Sequence, residues 1–294
     1  MILETTVPSL SVQKLPAYME LAKPRITVLI LLVATAGFWL GSTGAPDGRR
    51  LFDSVIGISL LAAGIFALNQ YMERNLDAVM RRTEARPLPA GRLTPGEALW
   101  FGIVTSVLAI VALAVVNPLS GMLALITFST YLFLYTPLKK KTPHCTLIGA
   151  FPGAMPPLLG WAAVRGELSP EAWTLFAILF FWQFPHFHSI AWLYREDYAR
   201  AGIRMWPVVE PEGKTTFSQI VVFASLLVPV SLLPAVLGLS GLFYISGAVI
   251  LGAWLLYCSI RAGARKSQRE AQRLLLASVL YLPMLLGLMV LDKH

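Results

Sequence analysis

Three oxygen-bearing side chains, Asn69, Glu73 and Asp77, stand four residues apart. On a helix that spacing lines them along one face. Such a stripe suits Mg2+, a hard cation that takes one or two carboxylates and fills its other positions with waters and phosphate oxygens. Arg81, Arg82 and Arg86 follow closely. Guanidinium groups beside a metal bed suit a diphosphate, because they neutralise it bidentately and stabilise it as a leaving group. The bland alternative is a solvated helix end laced with incidental ion pairs. Ionisable groups at a membrane helix end are costly unless used, which favours the chemical reading.

A second group of candidates lies between Phe181 and Gly202. His186 and His188 are two apart, so on a helix they diverge and cannot easily share one ligand. Each reads first as a packed, hydrogen-bonded histidine, with iron ligation or proton transfer as the sharper option. Asp197 is the natural candidate for a further metal ligand, and Glu196 is its rival. A third patch sets Tyr135 four residues before Lys139, with Lys140 and Lys141 following. By itself it reads as a snorkelling anchor at a helix end.

The elements that must position these residues are membrane helices. Of the 294 residues, 56% are hydrophobic and only 14% charged. A soluble domain with so few charges would struggle to cover its surface. Runs long enough to cross a bilayer fall at roughly 26–42, 53–72, 98–116, 120–137, 144–164, 172–194, 217–237, 242–260 and 272–291. The expected fold is an all-α polytopic membrane bundle of about nine transmembrane helices around a central cavity. A short arm, 1–25, precedes a membrane domain, 26–294. The arm carries Glu4, Lys14, Glu20, Lys23 and Arg25 with no continuous apolar run, so the first hydrophobic stretch reads as a retained helix rather than a cleaved signal. Gly149, Pro152, Gly153, Pro156, Pro157 and Gly160 would break a soluble helix, but in a bundle they permit close packing or line a cavity. Cys145 and Cys258 have no metal-ligand spacing and read as core residues.

Charge placement orients the bundle. With nine spans, 20 of the 24 basic residues fall in the arm and in the loops after spans two, four, six and eight. Only Arg49, Arg50, Arg165 and Lys293 fall on the other side. The crowded face is then cytoplasmic, and the net charge of +8 reflects topology rather than nucleic-acid binding. Transport is the rival class, with the acidic stripe as an ion pathway. A transporter places ionisable residues near the midplane of several helices, whereas here the acids cluster at one face.

The stretch from Asn69 to Asp77 resembles the first aspartate-rich motif of the UbiA-type intramembrane prenyltransferases, with Glu73 where most members have Asp. That departure, with Arg82-Thr-x-x-Arg86-Pro-Leu-Pro, is similar to the branch that farnesylates protohaem IX. Thr146 to Trp161 and Trp182 to Gly202 match the same branch. The likeness runs from Lys23-Pro24-Arg25 to the last helix. Leu193 and Asp197 occupy the register of the family's second pair of aspartates, so one of that pair is absent.

The resemblance implies Mg2+ as cofactor, held on the diphosphate by Asn69, Glu73, Asp77 and Asp197. Arg81, Arg82, Arg86, Lys139 and Lys140 would receive the departing diphosphate, and Tyr135 or Trp182 would face the allylic cation. Tyr135, Trp182, His186 and His188 are the candidate contacts to haem. The implied substrates are farnesyl diphosphate and haem b, the product is haem O, and a downstream haem A synthase is the implied partner. Within the family the alternative acceptor is a quinone precursor or other aromatic compound. The lipid bilayer is the medium, and the arm's composition points to a bacterial inner membrane rather than an organelle.

Overall fold

A computed structural model describes residues 10–293. Fifteen α-helices and one π-helical stretch make up nearly all of it. Helix α1 (Leu10–Leu21) is followed by α2 (Pro24–Gly41), α3 (Gly48–Asp77), α4 (Pro95–Val116) and α5 (Pro118–Ser129). The π-helix (Thr130–Tyr135) runs into α6 (Thr136–Leu138). Then come α7 (Cys145–Gly153), α8 (Pro156–Arg165), α9 (Pro170–Leu193), α10 (Arg195–Arg200), α11 (Trp206–Val209), α12 (Lys214–Val230), α13 (Leu233–Val236), α14 (Leu242–Arg265) and α15 (Gln268–Leu291).

Local chemistry sets the helix starts. Asp47 accepts from the backbone N–H groups of Arg49 and Arg50 to open α3, and Thr94 with Glu97 forms a capping box for α4. Proline stands in the first turn of α2, α4, α5, α8 and α9, where its missing N–H costs nothing. Asn117 caps α5 and donates to the Ala162 carbonyl, tying that turn to α8.

Among the described residues, eight helical segments are long and apolar enough to cross a membrane. Helix α9 is also of spanning length, at 24 residues. Its Gln183, His186, His188 and prolines keep it out of the strongly apolar set. Eight of the nine expected spans are thus strongly apolar segments, and the expected sixth falls on α9, which packs against α7, α8, α12 and α15. Two expected spans are interrupted. The fourth, Pro118–Leu138, passes through the π-helix, and the fifth, Cys145–Arg165, breaks at Ala154–Met155 between α7 and α8. The expected arm is partly helical: α1 is anchored by a Lys14–Glu97 ion pair at 2.6 Å and by Gln70, which donates to the Leu21 carbonyl. Residues 1–9 of that arm lie outside the described residues.

Close backbone approach holds the bundle where side chains are smallest. A methyl group on Gly160 would collide with the Ala34 carbonyl oxygen, and one on Gly37 with the Pro157 carbonyl oxygen. Helices α2 and α8 therefore pack backbone to backbone, as small residues allow in membranes. At the far end of the last hairpin, Arg261, Arg265 and Arg273 all donate to one oxygen of the buried Glu270, which locks the α14–α15 turn. Gly160→Val should destabilise the bundle by about 2 kcal/mol or more through overpacking. Thermal melting in detergent would show a lowered transition, whereas an unchanged midpoint would mean that α2 and α8 are not held this closely.

Candidate active site

Helix α3 is 30 residues long, about 45 Å, and carries its polar stripe at the C-terminal end. Asn69, Glu73 and Asp77 lie on one face as their spacing predicts, and all three are buried. Each is answered by a different segment. Lys139 Nζ sits 2.7 Å from Glu73 Oε1 and donates to Oε2 at 3.0 Å. Arg86 Nη1 donates to both Asp77 oxygens at 2.8 Å. Asn69 donates weakly to Thr136 Oγ1 at 3.3 Å. Sequence reading takes Arg86 and Lys139 as diphosphate contacts. In this arrangement they neutralise the candidate metal ligands.

The π-helix aims the aromatic wall of the site. Its wider turn brings Tyr131 edge-on to Tyr135 at 5.2 Å and to Phe66 of α3 at 6.4 Å between ring centroids. Such π-helical turns recur at functional sites. Lys139 Nζ stands 4.6 Å over the Tyr135 ring. The other side of that ring packs on Gly149, where a β-carbon would clash with it.

Asp197 reaches the same end of the molecule by another route. Its Oδ2 accepts from the backbone N–H of Arg82 at 3.2 Å, and its Oδ1 pairs with Arg200. The Arg82 guanidinium lies 5.1 Å over Tyr194 and donates weakly to the Tyr198 hydroxyl. Asp197 is thus buried and fastened to the segment that carries Arg86, whereas its rival Glu196 is exposed. Arg81 and Lys140 are both exposed.

The four haem candidates do not gather at one place. Trp182 and His186 stack at 4.7 Å and turn to α15, where Trp182 Nε1 donates to the Ser278 carbonyl and His186 Nδ1 meets Ser278 Oγ at 2.9 Å. His188 is buried on another face of α9, and its Nε2 has no partner among the described residues. Tyr135 is committed to Lys139 and Tyr131, as above.

Sequence reading missed Lys23 as a site residue. It precedes α2 with a left-handed backbone (φ 46°), and its Nζ lies 4.8 Å over the Phe66 ring. Burial, then the positive charges of Arg86 and Lys139, pull its pKa down to about 7, against the opposing pull of Glu73 and Asp77. Lys139 behaves oppositely. Burial would lower it, but the Glu73 charge and the Tyr135 and Tyr131 hydroxyls outweigh burial and hold it above its ordinary value. The sequence signals for Lys23 are its place before the Pro24 that opens α2 and at the start of the family likeness.

Lys23 should make the expected diphosphate binding pH-dependent. A bound diphosphate brings negative charge to Lys23 and raises its pKa, so binding should take up a proton at pH values between about 7 and its ordinary 10.5. Below 7 Lys23 is already charged and the uptake fades. Titration calorimetry at pH 8.5 in buffers of different ionisation heat should show this uptake for a prenyl diphosphate. Lys23→Met should abolish it and weaken binding by about tenfold. Buffer-independent heats in the unsubstituted protein would remove Lys23 from the site.

Residues 30–283 match the UbiA prenyltransferase family. The chain is 50% identical over 286 residues to the protoheme IX farnesyltransferase of Solibacter usitatus, covering 94% of this chain and 98% of that one. It is 48% identical to the protein of the same name from Koribacter versatilis, covering 94% and 93%. The fold resembles a digeranylgeranylglyceryl phosphate synthase at TM-score 0.80 and 18% identity, covering 95% of this chain and 98% of that one. It also resembles an Archaeoglobus fulgidus UbiA homologue bound to DMAPP and Mg2+, at TM-score 0.69 and 16% identity, covering 92% and 98%. With its polar stripe, its bundle of long apolar helices and this match over most of its length, the chain belongs to the UbiA prenyltransferase family.

Proposed function

We propose that this chain transfers the farnesyl group of farnesyl diphosphate to a vinyl group of protohaem IX, giving haem O. The observation that carries the reading is the pairing of buried Glu73 and Asp77 with Lys139 and Arg86. The names of relatives at 50% and 48% identity support the choice of acceptor. Family membership sets aside the transporter reading, and the quinone-precursor acceptor becomes an outcome of the test below.

The donor set fits Mg2+. Among the described residues no cluster of three His, Cys, Asp or Glu side chains stands ready for a metal. Glu73, Asp77 and the Asn69 amide supply too few oxygens alone, which suits an ion that completes its shell with water and diphosphate. Asn69, Glu73 and Asp77 would hold it, with Asp197 as the further ligand. When bound, Mg2+ offsets the diphosphate charge and improves it as a leaving group.

The chain's own residues do the rest. Arg86, Lys139 and Lys23 turn from their present partners to the diphosphate oxygens, with Arg81, Arg82 and Lys140 at the rim. The bond from farnesyl C1 to the diphosphate oxygen breaks, and the oxygen keeps the electron pair. Tyr135, Tyr131 and Phe66 present aromatic faces to the allylic cation. The vinyl electrons form the new carbon–carbon bond, and water adds to the resulting cation with loss of a proton. His186 meets Ser278 through Nδ1 alone, and His188 is fully buried with its Nε2 unpartnered among the described residues, so the contacts made do not choose between them as a haem contact. Trp182 is likewise committed to Ser278. By the positive-inside rule the face with the excess of cations would lie in the cytoplasm of a bacterial cell, with the bundle, residues 26–294, in the inner membrane. The product would pass to a haem A synthase.

Membranes holding the protein, given haem b, farnesyl diphosphate and Mg2+, should yield a haem carrying the hydroxyethylfarnesyl mass on extraction and mass spectrometry. EDTA should abolish it, and Asp77→Asn should lower turnover by at least about 100-fold. Unmodified haem alongside a prenylated aromatic acceptor would move the acceptor to the quinone class. Full turnover by a folded Asp77→Asn would overturn the metal bed.

A further inference from the structure

A cavity lies at the other end of the bundle from the polar stripe. It is an open cleft of about 830 Å³ between the end of α2, the end of α8, the α8–α9 turn and the C-terminal residues after α15. Helix α3 begins near this end, at Gly48, and ends at Asp77, so its length of about 45 Å separates cavity and candidate active site. The volume is in the range of small-molecule sites.

Two of the four cations on this sparsely charged face line the cavity, and the fold positions both. Lys293 is placed by a backbone bridge to Ser240, and its Nζ donates to the carbonyls of Trp39 at 2.6 Å and Ser42 at 2.7 Å. Arg165 Nε donates to the Gly41 carbonyl at 2.5 Å, and its guanidinium lies 5.8 Å over the Trp161 ring. Among the described residues neither cation pairs with a carboxylate. That leaves one Lys293 proton and the terminal nitrogens of Arg165 for a ligand. Burial and the facing charge of Arg165 lower the pKa of Lys293, as expected of two cations turned toward one space.

A third donor is unused. Trp161 is 2% exposed and lines the cavity, yet its indole N–H has no partner among the described residues. A buried indole N–H ordinarily finds an acceptor, and leaving it unmade costs free energy. Glu167 and Glu171 also line the cavity, so an occupant with a cationic group beside its anion fits better than a bare dianion. Trp39 and Leu237, 42% and 40% exposed, sit at the same cavity and offer an apolar path outward.

We propose that this cavity binds a phosphate headgroup, with Arg165, Lys293 and the Trp161 indole as its donors. The accompanying carboxylates favour the phosphoethanolamine headgroup of a membrane lipid, whose tails would lie along Trp39 and Leu237. No residue of this cavity belongs to the candidate active site.

Native mass spectrometry of the detergent-purified protein titrated with phosphatidylethanolamine, phosphatidylglycerol or inorganic phosphate tests it. Phosphatidylethanolamine should bind most tightly. The double variant Arg165→Ala, Lys293→Ala should lose at least about tenfold in affinity while keeping prenyl-transfer activity, which reports its fold. Trp161→Phe removes only the N–H and should weaken binding by about tenfold, which decides the matter should the double variant not fold. Saturable binding of inorganic phosphate that displaces the lipid would identify free phosphate as the occupant. Equal lipid retention by the unsubstituted protein and the folded variants, with no phosphate binding, would overturn the proposal.

Discussion

Burying Glu73 and Asp77 at the end of a membrane helix carries a desolvation cost of several kcal/mol for each charge unless a cation answers it. Neither cation comes from α3. Lys139 arrives from the far end of the fourth span and Arg86 from the loop after α3, nine residues beyond Asp77. Those two pairs therefore fix where the loop and the fourth span must lie. Asp197 extends the constraint to α10, because it accepts from the Arg82 backbone and so holds the Arg86 segment in place. One electrostatic requirement at the end of one helix thus organises four segments distant in sequence.

The same pairs suit the proposed anion site. Each carboxylate is neutralised by a cation that a diphosphate could also use, so on this reading substrate binding would be an exchange of partners rather than the creation of new charge in a dry place. The irregular backbone serves the same end. The π-helix turns Tyr131 toward Phe66 and brings Thr136 to Asn69, and Gly149 gives Tyr135 room to lie beneath Lys139. A regular helix through these residues would carry the aromatic faces elsewhere.

The two ends of the bundle differ in how they treat charge. The catalytic end pairs almost every buried ion internally, down to the three arginines that share Glu270. The opposite end holds Arg165 and Lys293 by backbone carbonyls and tryptophan rings, with no carboxylate pairing either among the described residues. Carbonyl contacts orient a cation without neutralising it, which leaves its charge available to a ligand.

Much of this was legible in the residues. The apolar runs and the proline and asparagine stops placed the eight strongly apolar spans with their ends within a few residues, because bilayer thickness and helix rise leave little choice. The i, i+4, i+8 spacing put Asn69, Glu73 and Asp77 on one face, because helical periodicity is local. Tertiary structure alone decided the partners. That Lys139 meets Glu73, that Asp197 meets the Arg82 backbone, and that Trp182 and His186 turn to Ser278 while His188 does not, all depend on how helices far apart in sequence pack. Lys23 shows the same division: Pro24 marks a helix start in the sequence, but only the packing of α2 against α3 places that lysine over Phe66 and within the field of the site. Spacing along one helix is written in the chain; contact between helices is settled by the packing of small residues and by the need of each buried charge for its opposite.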